Sequence, residues 1–309
     1  MKSRSHKRKS RLKRAAEMLH PSKGREARRR RSCARRRPPG KAFKLPIEQR
    51  KLQEDRRVSA VVVVGNGMIY APEVVESLLS MSLHEVIIVL DESQSQAFEH
   101  ARSCKGAIVI NQPDILSAGA AHVLGAEVST GEIVMFMPGD RIVTEEELAL
   151  YIEACSQGTD VVLQDLSGRL PAFKHQSREM RVRSFLNRIM GREDLNASSL
   201  TELPHALSRR AIQCMGSFRL ATPAKAHGLA LAGGLKIRAV SAAPLAPEST
   251  KESEKGMDMD MDMSESSLAE EILIGDYLEA LGSMMERLGP SLTLAPPSRK
   301  VLAARRNRR

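Results

Sequence analysis

The stretch VSAVVVVGNGMIYAPEVVESLLSMSLHEVIIVLD, residues 58–91, decides the fold. Residues 59–65 (SAVVVVG) are apolar almost without interruption, which marks a strand buried on both faces. Pro72 then opens a helix, at a first-turn position where a missing N–H is tolerated, and Val75, Leu78 and Leu79 share one side of it. EVIIVL (85–90) is a second strand of the same kind. Strand, helix, strand within so short a span is the unit of a parallel sheet.

The pattern continues outward. A helix runs to about Cys104, AIVIN (107–111) is a third strand, and the Ala/Gly-rich segment Ala118–Val128 is a helix. EIVMFM (132–137) is a fourth strand. Thr144, with Glu147 three residues on, forms a capping box ahead of a helix that carries Leu148, Ile152 and Cys155. DVVLQD (160–165) is a fifth strand and LKIRAV (235–240) a later one, with a short helix at Ser208–Met215. Arg178, Arg181, Arg183, Arg188 and Arg192 are placed on a helix, and a last helix runs from Leu268 to about Leu288. The expected fold is α/β, a doubly wound, mostly parallel sheet. In such sheets ligands bind beyond the carboxyl ends of the strands. Asp91 directly follows the second strand and Asp140 lies three residues past the fourth, so both are expected on one rim.

Charge is divided along the 309 residues. The net +11 hides +18 in residues 1–57, +6 in residues 299–309, and −13 in the body between them. Residues 1–45 read as a disordered polybasic arm, since so charged a composition cannot bury enough apolar surface to fold alone. The expected organisation is an arm and linker (1–57), a catalytic-type domain (58–245) and a low-complexity acidic insertion (246–267) containing MDMDMDM at 257–263. A C-terminal helix packing on the domain (268–298) and a basic tail (299–309) complete it. No apolar run approaches the roughly 20 residues of a spanning helix, and the basic start lacks the apolar core of a secretory leader. Four scattered cysteines (Cys33, Cys104, Cys155, Cys214) suit a reducing compartment. The expected location is therefore cytoplasmic, with peripheral contact to an anionic membrane, or to nucleic acid, through residues 1–45. P-loop and dinucleotide fingerprints, zinc-type Cys/His spacings, HExxH and GxSxG are all absent from the sequence.

The residues at the strand ends occur in a characteristic order. Gly65-Asn66-Gly67 follows the first strand and Asp91-Glu92-Ser93 the second. Asn111-Gln112-Pro113 leads to Ser117-Ala118-Gly119, Thr130-Gly131-Glu132 precedes the fourth strand, and Pro138-Gly139-Asp140 ends it. This order resembles the family-2 glycosyltransferases, whose fold is the nucleotide-diphospho-sugar transferase (GT-A) fold. The resemblance covers residues 58–165 well. It continues more loosely through Pro204–Ile212 and Gly234–Val240. It implies transfer of a sugar, of the hexosyl type, from a nucleotide-diphosphate sugar to an unknown acceptor, assisted by Mg²⁺ or Mn²⁺. Asn66, Asp91 and Gly119 would contact the nucleotide sugar and Asp140 the metal, with His205 or His227 as a further metal ligand.

Two positions depart from the family pattern. The first Asp of its Asp-x-Asp element is Pro138, and the Glu-Asp pair of an inverting base would fall at Ala221–Lys225, where there is no carboxylate. Three readings stay open: a retaining transferase, a base drawn from elsewhere (Glu193 and Asp194 being nearest), or a non-catalytic fold that binds polyanions or acts as a scaffold through its basic arm.

Overall fold

The computed structural model describes residues 57–64, 70–91, 95–112, 118–241 and 262–292. Residues 1–45, Asn66 and its neighbours, most of the Met/Asp repeat and residues 299–309 lie outside that set. Seven strands form one sheet in the order β3-β2-β1-β4-β6-β5-β7. They are β1 (Val58–Val63), β2 (Glu85–Asp91), β3 (Ala107–Gln112), β4 (Ile133–Pro138), β5 (Val161–Gln164), β6 (His205–Ser208) and β7 (Ile237–Val240). All are parallel except β6, which lies antiparallel between β4 and β5.

The buried runs behave as their composition demands. Every residue of β1 and β4 is buried, whereas β3, at the sheet edge, is half exposed. Alternation then divides the core in two. Met135 and Met137 of β4 pack with helices α1 (Pro72–Ser80), α2 (Ser95–Ser103) and α4 (Glu145–Ser156). Val134 and Phe136 pack on the other side with α3 (Ala118–Val128), α6 (Arg209–Met215) and α7 (Pro223–Ala232). A third cluster joins α5 (Arg178–Ile189) and α7 to the long α8 (Asp262–Leu288) through Leu186, Ile189, Tyr277, Leu281 and Met284. Among the described residues no helix is long and apolar enough to cross a membrane.

Four local expectations need correction. β6 has only four residues, too few for a period to show, so the sequence marks no strand within Pro204–Ile212. α7 is likewise unmarked: it is apolar nearly all round, so it carries no amphipathic signal. Arg192 lies past the end of α5, which stops before Gly191 at φ 75°, a conformation that glycine adopts freely. α8 begins at Asp262, six residues before the expected Leu268, because 257–274 contains neither Gly nor Pro and its acids suit a helix amino end.

The turn before β4 is knotted to the amino ends of β1 and β2. The Glu85 carboxylate accepts from the Ser59 hydroxyl (2.6 Å), the Thr130 amide (2.6 Å) and the Thr130 hydroxyl (3.1 Å), and Ser59 Oγ accepts from the Gly131 amide (2.9 Å). Arg209, at the start of α6, donates to the carbonyls of Ser129 and Gly131. Partial burial pushes the Glu85 pKa up, but these hydrogen bonds outweigh it and hold the carboxyl below its usual range. A carboxyl with a depressed folded-state pKa stabilises the fold above its unfolded pKa, and that contribution disappears as pH falls through the folded value. In Glu85→Gln, urea unfolding at neutral pH is expected to show a loss on the order of 1 kcal/mol. Its stability should also decline less than that of the parent as pH is lowered below about 4.3.

Candidate active site at the carboxyl ends of the strands

β2, β1 and β4 are adjacent and parallel, so their carboxyl ends form one rim. Val63 of β1 pairs with Val89 on one side and Pro138 on the other. Asp91 is two residues beyond Val89 and Asp140 two beyond Pro138, so the two backbones leave the sheet at about the same height. Two strand spacings separate them, about 10 Å. The chain after β1 returns across this rim, with the Ala71 amide donating to the Gly139 carbonyl (2.9 Å). A Cβ at Gly139 would come within 2.8 Å of Val64 Cγ2, so only glycine fits this seat.

Asp140 is exposed, and its carboxylate makes no hydrogen bond or ion pair to a described residue. Its neighbour Arg141 is engaged elsewhere. Both terminal nitrogens of that guanidinium fork onto Glu147 of α4 (3.1 and 3.2 Å), whose side chain is only 4% exposed. The capping box is therefore half formed. Thr144 Oγ1 accepts from the Glu147 amide (3.2 Å) as expected, but the Glu147 carboxylate binds Arg141. The cation nearest to Asp140 in sequence is thus engaged by Glu147.

Gly119, in the first turn of α3, has a clear structural role. A Cβ there would stand 1.9 Å from the carbonyl oxygen of Ala221, so α3 touches the 3₁₀ turn Ser217–Ala221 backbone to backbone. That contact brings the segment Ala221–Lys225 beside the start of α3. The segment lines an open pocket of about 550 Å³ together with Met215, Phe218, Arg219 and Leu229. Lys225 in turn pairs with Glu279 of α8 (2.5 Å). The carboxylates facing this segment, Glu279 and the half-buried Asp276, come from α8, far along the chain where no local pattern could announce them. Burial raises the Asp276 pKa, and Lys225 opposes the rise.

The histidines go to the core. His205, on β6, is paired in register with Phe136, and its ring lies 5.0 Å from the Phe136 ring and 5.3 Å from that of His122. Its Nδ1 hydrogen-bonds the Glu202 carbonyl (2.9 Å). His227, in α7, donates from Nε2 to Asn187 Oδ1 (2.7 Å); the Asn187 amide group is already spent on two carbonyls, so its oxygen must accept. Burial, above all, lowers both pKa values to about 3. These rings are neutral and packed, not gathered with Asp140. Among the described residues no three His, Cys, Asp or Glu side chains come together as a metal cluster.

Glu193 and Asp194 are exposed, but each is engaged. Arg188 pairs with Glu193 (3.2 Å), and Arg192 holds Asp194 through two bonds (2.8 and 2.9 Å) while also donating to the Ile237 carbonyl at the start of β7. The Arg192 hydrogen bonds hold the Asp194 carboxyl below its ordinary range, the opposite of what a general base requires.

The family model described as glycosyl transferase family 2 matches residues 59–216, which include the rim and the antiparallel strand beside β4. The chain belongs to glycosyl transferase family 2. Its fold is also that of glucosyl-3-phosphoglycerate synthase from Mycobacterium tuberculosis. The structure of that enzyme with Mn²⁺, uridine diphosphate and phosphoglyceric acid is 16% identical, with 75% of this chain and 81% of that chain covered and a TM-score of 0.52. Its complex with Mn²⁺, uridine diphosphate and glucosyl-3-phosphoglycerate gives 17% identity, coverage of 76% and 83%, and a TM-score of 0.53. Its complex with Mg²⁺ and uridine diphosphate gives 16%, 76%, 83% and 0.52. At such identity the likeness is one of fold. No curated protein matches the chain.

This family-2 fold depends on the close approach at Gly119. Gly119→Ala is expected to lower stability by about 3 kcal/mol, the upper end for overpacking. The control Gly282→Ala, on α8 with no atom within 4 Å of the new methyl, should be neutral or stabilising by about 0.5–1 kcal/mol. Urea unfolding of the two variants side by side checks both.

Proposed function

We propose that this chain transfers a hexosyl group from a nucleotide-diphosphate sugar to an acceptor, at the rim carrying Asp91 and Asp140. The observation that carries this reading is the exposed carboxylate of Asp140, without a partner among the described residues and level with Asp91 across β1, with Arg141 bound to Glu147. The fold is shared with an enzyme crystallised with uridine diphosphate and Mn²⁺ or Mg²⁺, which supports the donor class and the metal.

The donor set fits a hard divalent ion that is completed by its substrate. One carboxylate is too few to hold Mg²⁺ or Mn²⁺ alone, but such ions commonly bind through one or two carboxylates plus substrate phosphates. When bound, the ion would neutralise charge on the departing diphosphate. Asp140 would anchor it, and Asp91 and Asn66 would orient the nucleoside. Pro138 cannot supply the second carboxylate of the family pattern. Glu193 and Asp194 are committed to arginines, so an inverting transfer would draw on Asp276 or Glu279 beside the Ala221–Lys225 segment. A retaining transfer needs neither.

Titration calorimetry of the full chain with UDP and GDP, with and without Mn²⁺, tests the donor site. Binding is expected with one nucleotide and only in the presence of metal, and Mn²⁺ alone should bind negligibly. Asp140→Asn should weaken the metal-dependent affinity roughly tenfold or more. Glu147→Gln should weaken it too, by releasing Arg141 toward Asp140, and Arg141→Ala in that background should restore it. A folded protein that binds neither nucleotide would favour a second reading, which Pro138 also suggests: a transferase fold without catalysis that acts on polyanions through residues 1–45.

A further inference from the structure

We infer that the exposed face of α5, with the 3₁₀ turn Phe173–His175 before it, is a docking surface for an anionic bilayer. Residues 166–192 hold seven Lys/Arg and one acid, a net of +6 inside a body of net −13. The one acid, Glu179, is turned to the buried Arg183. On α5 the opposite side is buried through Arg183, Leu186, Asn187 and Ile189, so Arg178, Arg181, Phe185 and Arg188, spaced three and four apart, form a single outward stripe. Two large rings stand on this surface without cover. Phe173 is 71% exposed and Phe185 53%, in a chain with only six phenylalanines. Arg178 is linked to Glu271 of α8, Arg188 to Glu193 and Arg192 to Asp194, so Lys174 and Arg181 carry the cationic excess of this face; on α8 Leu268 and Ile272 are exposed as well.

Exposed rings among guanidinium groups suit a partner that is apolar inside and anionic at its surface. A bilayer with acidic headgroups has both properties: the rings enter the headgroup–acyl boundary, and the long cationic side chains stay at phosphate level. A nucleic acid fits less well. The Arg181 guanidinium lies over the Phe173 ring at 5.1 Å, occupying a face on which a base would stack, whereas edge-on insertion leaves that cation–π contact intact. Opposite charge on the rest of the body would turn this face toward the membrane. The surface begins just beyond the carboxyl end of β5, on the same side of the sheet as the ends of β2 and β4. On the donor-site reading above, which the docking surface itself does not need, a bound bilayer would present a lipid-borne acceptor to the rim.

The chain has no tryptophan, so Phe173→Trp and Phe185→Trp place a single reporter on the surface of the full chain. With vesicles of phosphatidylcholine and phosphatidylserine, both variants are expected to shift emission to the blue and to be quenched by brominated acyl chains. Pure phosphatidylcholine should leave both unchanged. Phe173→Ser with Phe185→Ser should lower partition to the anionic vesicles roughly tenfold. Sedimentation with anionic vesicles while the reporters keep their emission in buffer would overturn the inference and assign binding to the basic ends. No binding to vesicles, or a response to a single-stranded oligonucleotide but not to vesicles, would overturn it as well. No nucleotide is present in these measurements, so their outcome is independent of the calorimetry on the donor site.

Discussion

The contact between α3 and β1 is the constraint on which the rest of the site depends. β1 is buried at every residue, and α3 lies so close to it that a Cβ at Gly125 would come within 2.2 Å of Val61 Cγ1. With one end of α3 seated on the sheet, Gly119 at the other end is pressed against Ala221, so the 3₁₀ turn and the start of α7 inherit their position from the same helix. Interiors packed to this density do not absorb an added methyl by local adjustment. The rim where Asp140 emerges, and the pocket lined by Thr222 and Lys225, are therefore placed relative to one another by two glycines.

A second layer of organisation is electrostatic. Among the described residues several carboxylates are matched with arginines: Arg141 with Glu147, Arg188 with Glu193, and Arg192 with Asp194 near the start of β7. The exposed pairs contribute little to stability. Their consequence is chemical, because they engage Glu193 and Asp194 and turn Arg141 to Glu147. Burial of His205 and His227 acts in the same direction. Rings held neutral by the core neither buffer the rim nor gather with Asp140.

Much of the fold was legible because its signals are local. Near-continuous apolar runs marked five parallel strands, Pro72 and Thr144 marked helix starts, and the order of residues at the strand ends pointed to the family. Arg192 and Asp194, two residues apart, were also a visible warning that the acid was engaged. β6 is too short and α7 too evenly apolar to show a period, and the residues that pack on His205 and His227 come from distant elements that no local pattern announces.

By itself the sequence determined six of the seven strands, most of the helices, the division of charge and the presence of Asp91 and Asp140 at strand ends. These follow from side-chain period and backbone preference within a few residues. Only the tertiary structure decided that Asp91 and Asp140 leave the sheet at one height, that Arg141 turns to Glu147, that Gly119 meets Ala221 about a hundred residues away, and that His205 stacks in the core. Each of these depends on which surfaces meet once apolar faces are buried, and no local pattern in the chain records that.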